Sequence, residues 1–195
     1  MKQVVINRMI EEALNKNTFN EIADLITLKQ LMNYYAEQSA EKGVTNITCP
    51  LCGNNHKIVN VSITQRYVKF LFTFLYKTKQ EYKKNKILYK KITDVYIHYS
   101  DVQLLTEKVF GYRVTSYAFL ASYPYSLIEK KDLNDKSGEY RLTTRGLRFL
   151  KGELNIPQTI KVMNKQVIKV SDETVNVNTA KNFNLKKTIN KLNSY

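Results

Sequence analysis

The chain has 195 residues, with 31 Lys plus Arg against 17 Asp plus Glu for a net charge of +14, and 43% hydrophobic residues including 14 Tyr and 8 Phe. That apolar content excludes global disorder, and no run approaches the ~18 apolar residues of a bilayer span. Two cysteines three positions apart cannot staple a chain of this length as a disulfide scaffold. The N-terminal stretch MKQVVINRMIEEALNK places two Glu directly after its apolar residues and offers no small-residue cleavage site, which argues against a signal peptide. The expected class is a soluble, basic protein of the cytoplasm. The charge is uneven: residues 77–91 (KTKQEYKKNKILYKK) hold seven Lys and one Glu. Dense like charge favours anionic partners, nucleic acid before acidic protein, through phosphate neutralisation and counterion release. A solvated lysine-rich loop is the alternative for the same stretch.

In chain order, residues 3–15 place Val5, Met9 and Ala13 at helical spacing with Ile10 and Leu14 beside them. A second apolar stripe runs through 19–38, opened by a Thr18-x-x-Glu21 capping box and closed by Gly43. Residues 1–43 form a helical arm, expected to serve in packing or in homodimer formation. Residues 44–62 follow as a knuckle hairpin: two short β-like stretches, 46–48 and 57–61, flank Cys49-Pro50-Leu51-Cys52-Gly53. A helix over 63–77, the basic linker 77–91 and an extended piece at 95–99 come next. Ser100 then opens a helix through a Ser-x-x-Gln box with Gln103, and Gly111 permits a tight turn into a helix over 114–123 that stops before Pro124. Beyond Pro124 the period becomes strand-like, with 126–130 and 139–143 as the arms of a hairpin around a polar Asn-, Asp- and Gly-containing loop. A short helix over 144–154 and a hairpin over 159–170 complete the ordered part. The tail 171–195 has few large apolar residues and is expected to be mobile, with a marginal helix over 181–192.

Two helices joined at Gly111, a two-stranded hairpin and a closing helix are the parts of a winged helix, in which the helix after the turn enters the major groove and the hairpin touches the backbone. Tyr140-Arg-Leu142-Thr143-Thr-Arg-Gly146-Leu-Arg-Phe-Leu150 resembles the Tyr-x-Leu-Thr-x-x-Gly-x-x-x-Leu ending of many bacterial winged-helix regulators. The full order of parts, with the Cys-Pro-x-Cys-Gly knuckle and the stretch from Leu142 to Pro157, is similar to a set of small phage and prophage proteins. The resemblance covers about residues 20–170 and implies an α+β fold with a winged-helix core over 63–155 and a C-terminal hairpin over 156–170. It also implies phage origin, hence the host cytoplasm, and it carries over no catalytic residue.

The knuckle has the spacing that aims two thiolates at one metal. Closed structural zinc needs four ligands, and the only histidines are His56 and His98, so a site of Cys49, Cys52, His56 and His98 stands beside a metal-free turn as an open alternative. No Gly-rich phosphate loop, Gly-x-Ser-x-Gly elbow or His-Glu-x-x-His helix occurs, and an enzyme is not expected. The expected nucleic-acid contacts are Arg113, Thr115 and Ser116 on the helix after the turn, Lys83, Lys84 and Lys86 in the linker, and Lys131, Lys136, Arg141 and Arg145 on and after the wing. Only Arg113 among them suits base-edge readout, so duplex DNA is expected to be held mainly by its backbone. The rival is a module that binds and modulates a host protein.

Overall fold

A computed structural model describes residues 3–16, 21, 25–41, 45–48, 55–114, 117–132, 138–163 and 166–195 of the protein. Over these residues the chain is mixed α+β with six α-helices and antiparallel sheets. It divides into two compact units, Met1–Ser62 with Thr159–Ser171, and Ile63–Gln158 with Asp172–Tyr195.

The smaller unit carries α1 (Gln3–Asn15), α2 (Leu28–Glu41) and a four-stranded sheet ordered β1 (Asn46–Thr48), β2 (Asn55–Ser62), β7 (Thr159–Met163), β8 (Gln166–Val170). Ile6, Ile10 and Ala13 recur at i, i+4 and i+7 along α1 and are buried, so the inward stripe lies one residue off the expected one and Val5 is 49% exposed. These side chains pack with Leu31, Met32, Tyr34 and Tyr35 of α2 and with Ile47, Ile58 and Met163 of the sheet. Asn7 donates to the Glu37 carboxylate and ties the two helices together. The apolar face of the expected arm is therefore spent inside its own unit.

α2 begins at Leu28, and Glu21, the one described residue shortly after Thr18, is also helical. Thr27 and Gln30 make a reciprocal box in which Gln30 N donates to Thr27 Oγ1 at 3.3 Å and Thr27 N donates to Gln30 Oε1 at 2.8 Å. Ile26 before the cap and Leu31 after it share the same core, as in a hydrophobic staple. Thr18 and Gly43 lie outside the described residues. The knuckle strands and the C-terminal hairpin, separate elements in the sequence reading, form one sheet: β2 pairs with β7, with Ile58 opposite Met163 and Val61 opposite Ile160.

The larger unit is organised around α3 (Gln65–Lys84). Val68, Phe70, Leu71, Phe72, Thr73 and Phe74 are all buried, more than one face of a helix, and Thr78 extends the buried row another turn. That row carries the helix through residues expected to be linker, because Thr78 Oγ1 satisfies itself on Phe74 O at 2.8 Å and Lys83 and Lys84 suit the negative end of the helix. A 3-10 turn (Ile92–Asp94) leads to β3 (Ile97–His98) and α4 (Tyr99–Phe110), which Gly111 ends in the left-handed region at φ 78°.

The expected helix over 114–123 is replaced, among the described residues, by a 3-10 turn at Ala118–Ala121. Two constraints oppose an α-helix there. Val114 is held by Gln103, and Pro124 disfavours the α conformation at Tyr123. The hairpin of β4 (Ile128–Lys130) and β5 (Glu139–Leu142) joins β3 in the order β3–β5–β4, with Ile97 opposite Tyr140 and Ile128 opposite Leu142. α5 (Thr144–Leu150) follows.

The tail, expected to be mobile, is built into this unit. β9 (Thr174–Val175) pairs with β6 (Ile156–Pro157), and α6 (Leu185–Asn193) packs on α3. Val175, Val177, Ala180 and Leu192 are buried, and Phe183 stacks on Phe72 at 5.7 Å. Few apolar residues suffice because the pairing of β9 with β6 and the packing of α6 on α3 enclose them.

Thr143 is both the end of the hairpin and the cap of α5. Its Oγ1 accepts from Gly146 N at 2.9 Å and reaches Ser126 O at 2.7 Å. Gly146 sits so close to β4 that an added Cβ would lie 2.1 Å from Leu127 O, a backbone atom that cannot swing away. Gly146→Ala is expected to destabilise the protein by at least about 1–3 kcal/mol through overpacking. A lowered urea midpoint with an unchanged m value checks this; an unshifted midpoint means that α5 and β4 part without cost.

Candidate nucleic-acid interface

The sequence places its base-reading contact at Arg113. The structure puts Arg113 in an extended segment after Gly111, where its Nε donates to Glu107 of α4 at 2.7 Å. Beside it, Gln103 reaches out of α4 and closes on the backbone of Val114, accepting from Val114 N at 2.9 Å and donating to Val114 O. Gln103 therefore does not cap α4. The helix starts a residue earlier than expected, at Tyr99, with His98 as its cap: Nδ1 accepts from Ser100 N at 3.2 Å. Thr115 and Ser116 lie outside the described residues.

Beyond them the aromatic side chains Tyr117 and Phe119 turn inward, while Ala118, Ser122 and Tyr123 stay exposed. Tyr117 stacks on Tyr99 at 4.8 Å and on Phe70 at 6.0 Å, and meets Tyr140 edge-on at 5.5 Å. Burial, and after it the neighbouring Tyr140 and Tyr99, pushes the Tyr117 phenol up from its ordinary value. Phe119 packs edge-on against Tyr67 and Tyr125. Tyr112 lies under the guanidinium of Arg66, 5.2 Å from the ring centroid, and burial pushes its phenol up to about 12.

On the wing, the described cations expected to meet phosphate have protein partners. Lys131 donates to Glu139 at 2.7 Å, and Arg141 donates to Glu129 through Nε at 2.9 Å and Nη2 at 2.7 Å. Both lie over the ring of Tyr96, at 5.7 and 5.2 Å from its centroid, so the fold brings these two together. Arg145 turns inward and donates to Tyr125 O at 2.8 Å and Pro124 O at 3.2 Å, where it holds the chain entering β4. Two of its guanidinium nitrogens are thus engaged by backbone carbonyls. Lys136 lies outside the described residues. Exposed ion pairs contribute only ~0.2–1 kcal/mol each, so an arriving phosphate can compete for Lys131 and Arg141 but not cheaply for Arg145.

Lys83 and Lys84 occupy the last turn of α3, and Lys86 follows it directly. All three are exposed, and none forms an ion pair among the described residues. A second basic group was not anticipated: Lys69 of α3 and Lys191 of α6 each lie 5.6 Å from the ring centroid of Phe110, with Lys187 in the same cleft. Its one sequence signal is the i, i+4 spacing of Lys187 and Lys191, with the buried Thr188 and Leu192 each one residue further on.

Cys49 and Cys52 lie outside the described residues. His56 is on β2 of the smaller unit and His98 on β3 of the larger. The His98 Nδ1 is engaged at the start of α4, where it accepts from Ser100 N and also meets Ser100 Oγ at 2.5 Å. Among the described residues no group of three His, Cys, Asp or Glu is placed to hold a metal ion, and no helix is long and apolar enough to cross a membrane.

Comparison with known protein families, characterised proteins and solved structures finds no match to the chain. The Gln103–Val114 clamp is open to direct test. Gln103→Leu keeps the bulk and leaves a buried N–H and C=O without partners, an expected cost of about 1–3 kcal/mol. Amide exchange at Val114 should accelerate relative to the α3 amides, and unchanged exchange would show that other contacts hold the segment.

Proposed function

We propose that the larger unit is a winged helix-turn-helix module that binds duplex DNA mainly through the phosphate backbone and carries no catalytic activity. The sequence of parts supports it: α3, β3, α4, the hairpin β4–β5 and the closing α5 follow the order of a winged helix, except that a 3-10 turn at Ala118–Ala121 stands where its helix after the turn would be. The observation that carries the proposal is the run of exposed lysines, Lys83, Lys84 and Lys86, that ends α3 without carboxylate partners. Base readout is not part of it. Between Gly111 and the wing the described residues form no α-helix to enter a groove, and Arg113 is paired with Glu107. The resemblance to phage proteins places this activity in a host cytoplasm.

A second reading, a surface that engages a host protein, is favoured by one feature. Ile87 and Leu88 are 100% and 75% exposed directly beside the same lysines, an apolar and basic combination that suits an acidic protein face.

The two readings separate in one titration. Binding of the full chain to a random-sequence duplex is measured by fluorescence anisotropy over a range of salt concentrations. Each phosphate contact contributes ~0.9 to the slope of log affinity against log salt, so changing Lys83, Lys84 and Lys86 to Gln should flatten that slope by about 2–3. An unaltered slope, or no binding at low salt, retires the DNA proposal in favour of a protein partner.

A further inference from the structure

Lys69 of α3 and Lys187 and Lys191 of α6 line a cleft of about 440 Å3, with Phe110, Asn182 and Thr188 among its walls. The ammonium groups of Lys69 and Lys191 share one aromatic surface, each 5.6 Å from the Phe110 centroid. No carboxylate lines the cleft, and none of the three lysines forms an ion pair among the described residues. Lys69 Nζ is steered by a hydrogen bond to Gln65 Oε1 at 2.9 Å.

The placements of Lys69 and Lys187 carry a cost in the free protein, whereas Lys191 stands in the last turn of α6, where a cation is favoured. Burial, and after it the Lys187 and Lys191 charges, pulls the Lys69 ammonium below its ordinary value. Lys187 stands in the first turn of α6, whose cap Asn184 accepts from Lys187 N at 2.8 Å, and a cation at that positive helix end is disfavoured. An anion in the cleft offsets the costs at Lys69 and Lys187: it neutralises the mutual repulsion, compensates the burial of Lys69 and suits the N-terminal end of α6. Three ammonium groups and flanking amides match the several acceptor oxygens of a phosphate better than a single carboxylate.

We propose that this cleft is an anion site that takes a phosphate group, clamped by Lys69, Lys187 and Lys191. It does not rest on the DNA proposal, since Lys83, Lys84 and Lys86 do not line it. The test is a titration of the full chain with sodium pyrophosphate at ionic strength fixed with NaCl, followed by NMR of 13C-labelled lysine side chains. The expected result is a saturable shift at Lys69, Lys187 and Lys191. It should persist in the Lys83, Lys84, Lys86→Gln variant and weaken at least tenfold in affinity in Lys187→Gln/Lys191→Gln. Should that double variant unfold, Lys69→Gln replaces it and is expected to weaken the affinity by the same measure. A ten-residue thymidine oligonucleotide in a second arm separates the sources of the phosphate. Displacement of the oligonucleotide from these signals by pyrophosphate upholds the site as one for nucleic-acid phosphodiester, and saturation by pyrophosphate alone upholds it as one for a small polyphosphate. A linear shift spread over all lysines, or saturation that survives both Lys69→Gln and Lys187→Gln/Lys191→Gln, overturns it.

Discussion

Burying most of the circumference of α3 is the requirement from which the larger unit follows. An amphipathic helix is satisfied by one neighbour, but a helix with Val68, Phe70, Leu71, Phe72, Thr73 and Phe74 all enclosed needs cover on several sides. That cover comes from α4, α5, β5 and α6, elements drawn from both ends of the unit's sequence. The polar atoms this burial traps are handled locally. Thr73 and Thr78 donate to Lys69 O and Phe74 O one turn back, and Thr106 and Thr188 in the packing helices do the same on Val102 O and Asn184 O. Each hydroxyl is satisfied by its own helix, so the helices can slide together without matching polar groups across the interface.

The same packing sorts the cations. Where the hairpin is flat and short, each described cation expected at the interface meets a neighbouring carboxylate or carbonyl: Lys131 on Glu139, Arg141 on Glu129, Arg145 on Tyr125 O and Pro124 O. Where α3 runs past the last element that covers it, its lysines have no such neighbour and stay solvated. Net charge alone would treat these two populations alike. What distinguishes them is the cost of stripping a cation from its protein partner before phosphate can have it, a cost absent at Lys83, Lys84 and Lys86.

Local pattern was legible where the residues that decide an element are adjacent in sequence. The α1 helix and the hairpin 126–143 belong to that class: spacing and turn chemistry each specify their own outcome. The pairing of β2 with β7 joins residues a hundred positions apart, and neither strand announces its partner. The tail misled for a related reason. Val175, Val177, Ala180 and Leu192 look too sparse to hold a segment down, but β9 finds β6 and α6 finds α3 as partners, and all four side chains are buried. At the candidate interface, charge was legible and neutralisation was not, because Glu107, Glu129 and Glu139 find their cations through turns and strand register. His98 shows the same limit: a lone histidine beside a helix start suits a ligand or a cap equally until the start is fixed to the residue.

The stretch between Gly111 and Pro124 decides what kind of recognition this unit can offer. A base-reading helix must keep its outer side chains free, and here three of the described side chains, Val114, Tyr117 and Phe119, are drawn inward. Val114 is clamped by Gln103, Tyr117 lies among Phe70, Tyr99 and Tyr140, and Phe119 lies between Tyr67 and Tyr125. Aromatic contacts of this type contribute ~0.5–1.5 kcal/mol each beyond their burial, so releasing the segment to rebuild a helix would forfeit several at once. The unit thus trades a reading surface for a tighter core. What it leaves exposed is charge on helices, at the end of α3 and in the α3–α6 cleft, and charge of that kind distinguishes an anion from a neutral surface far better than one base from another.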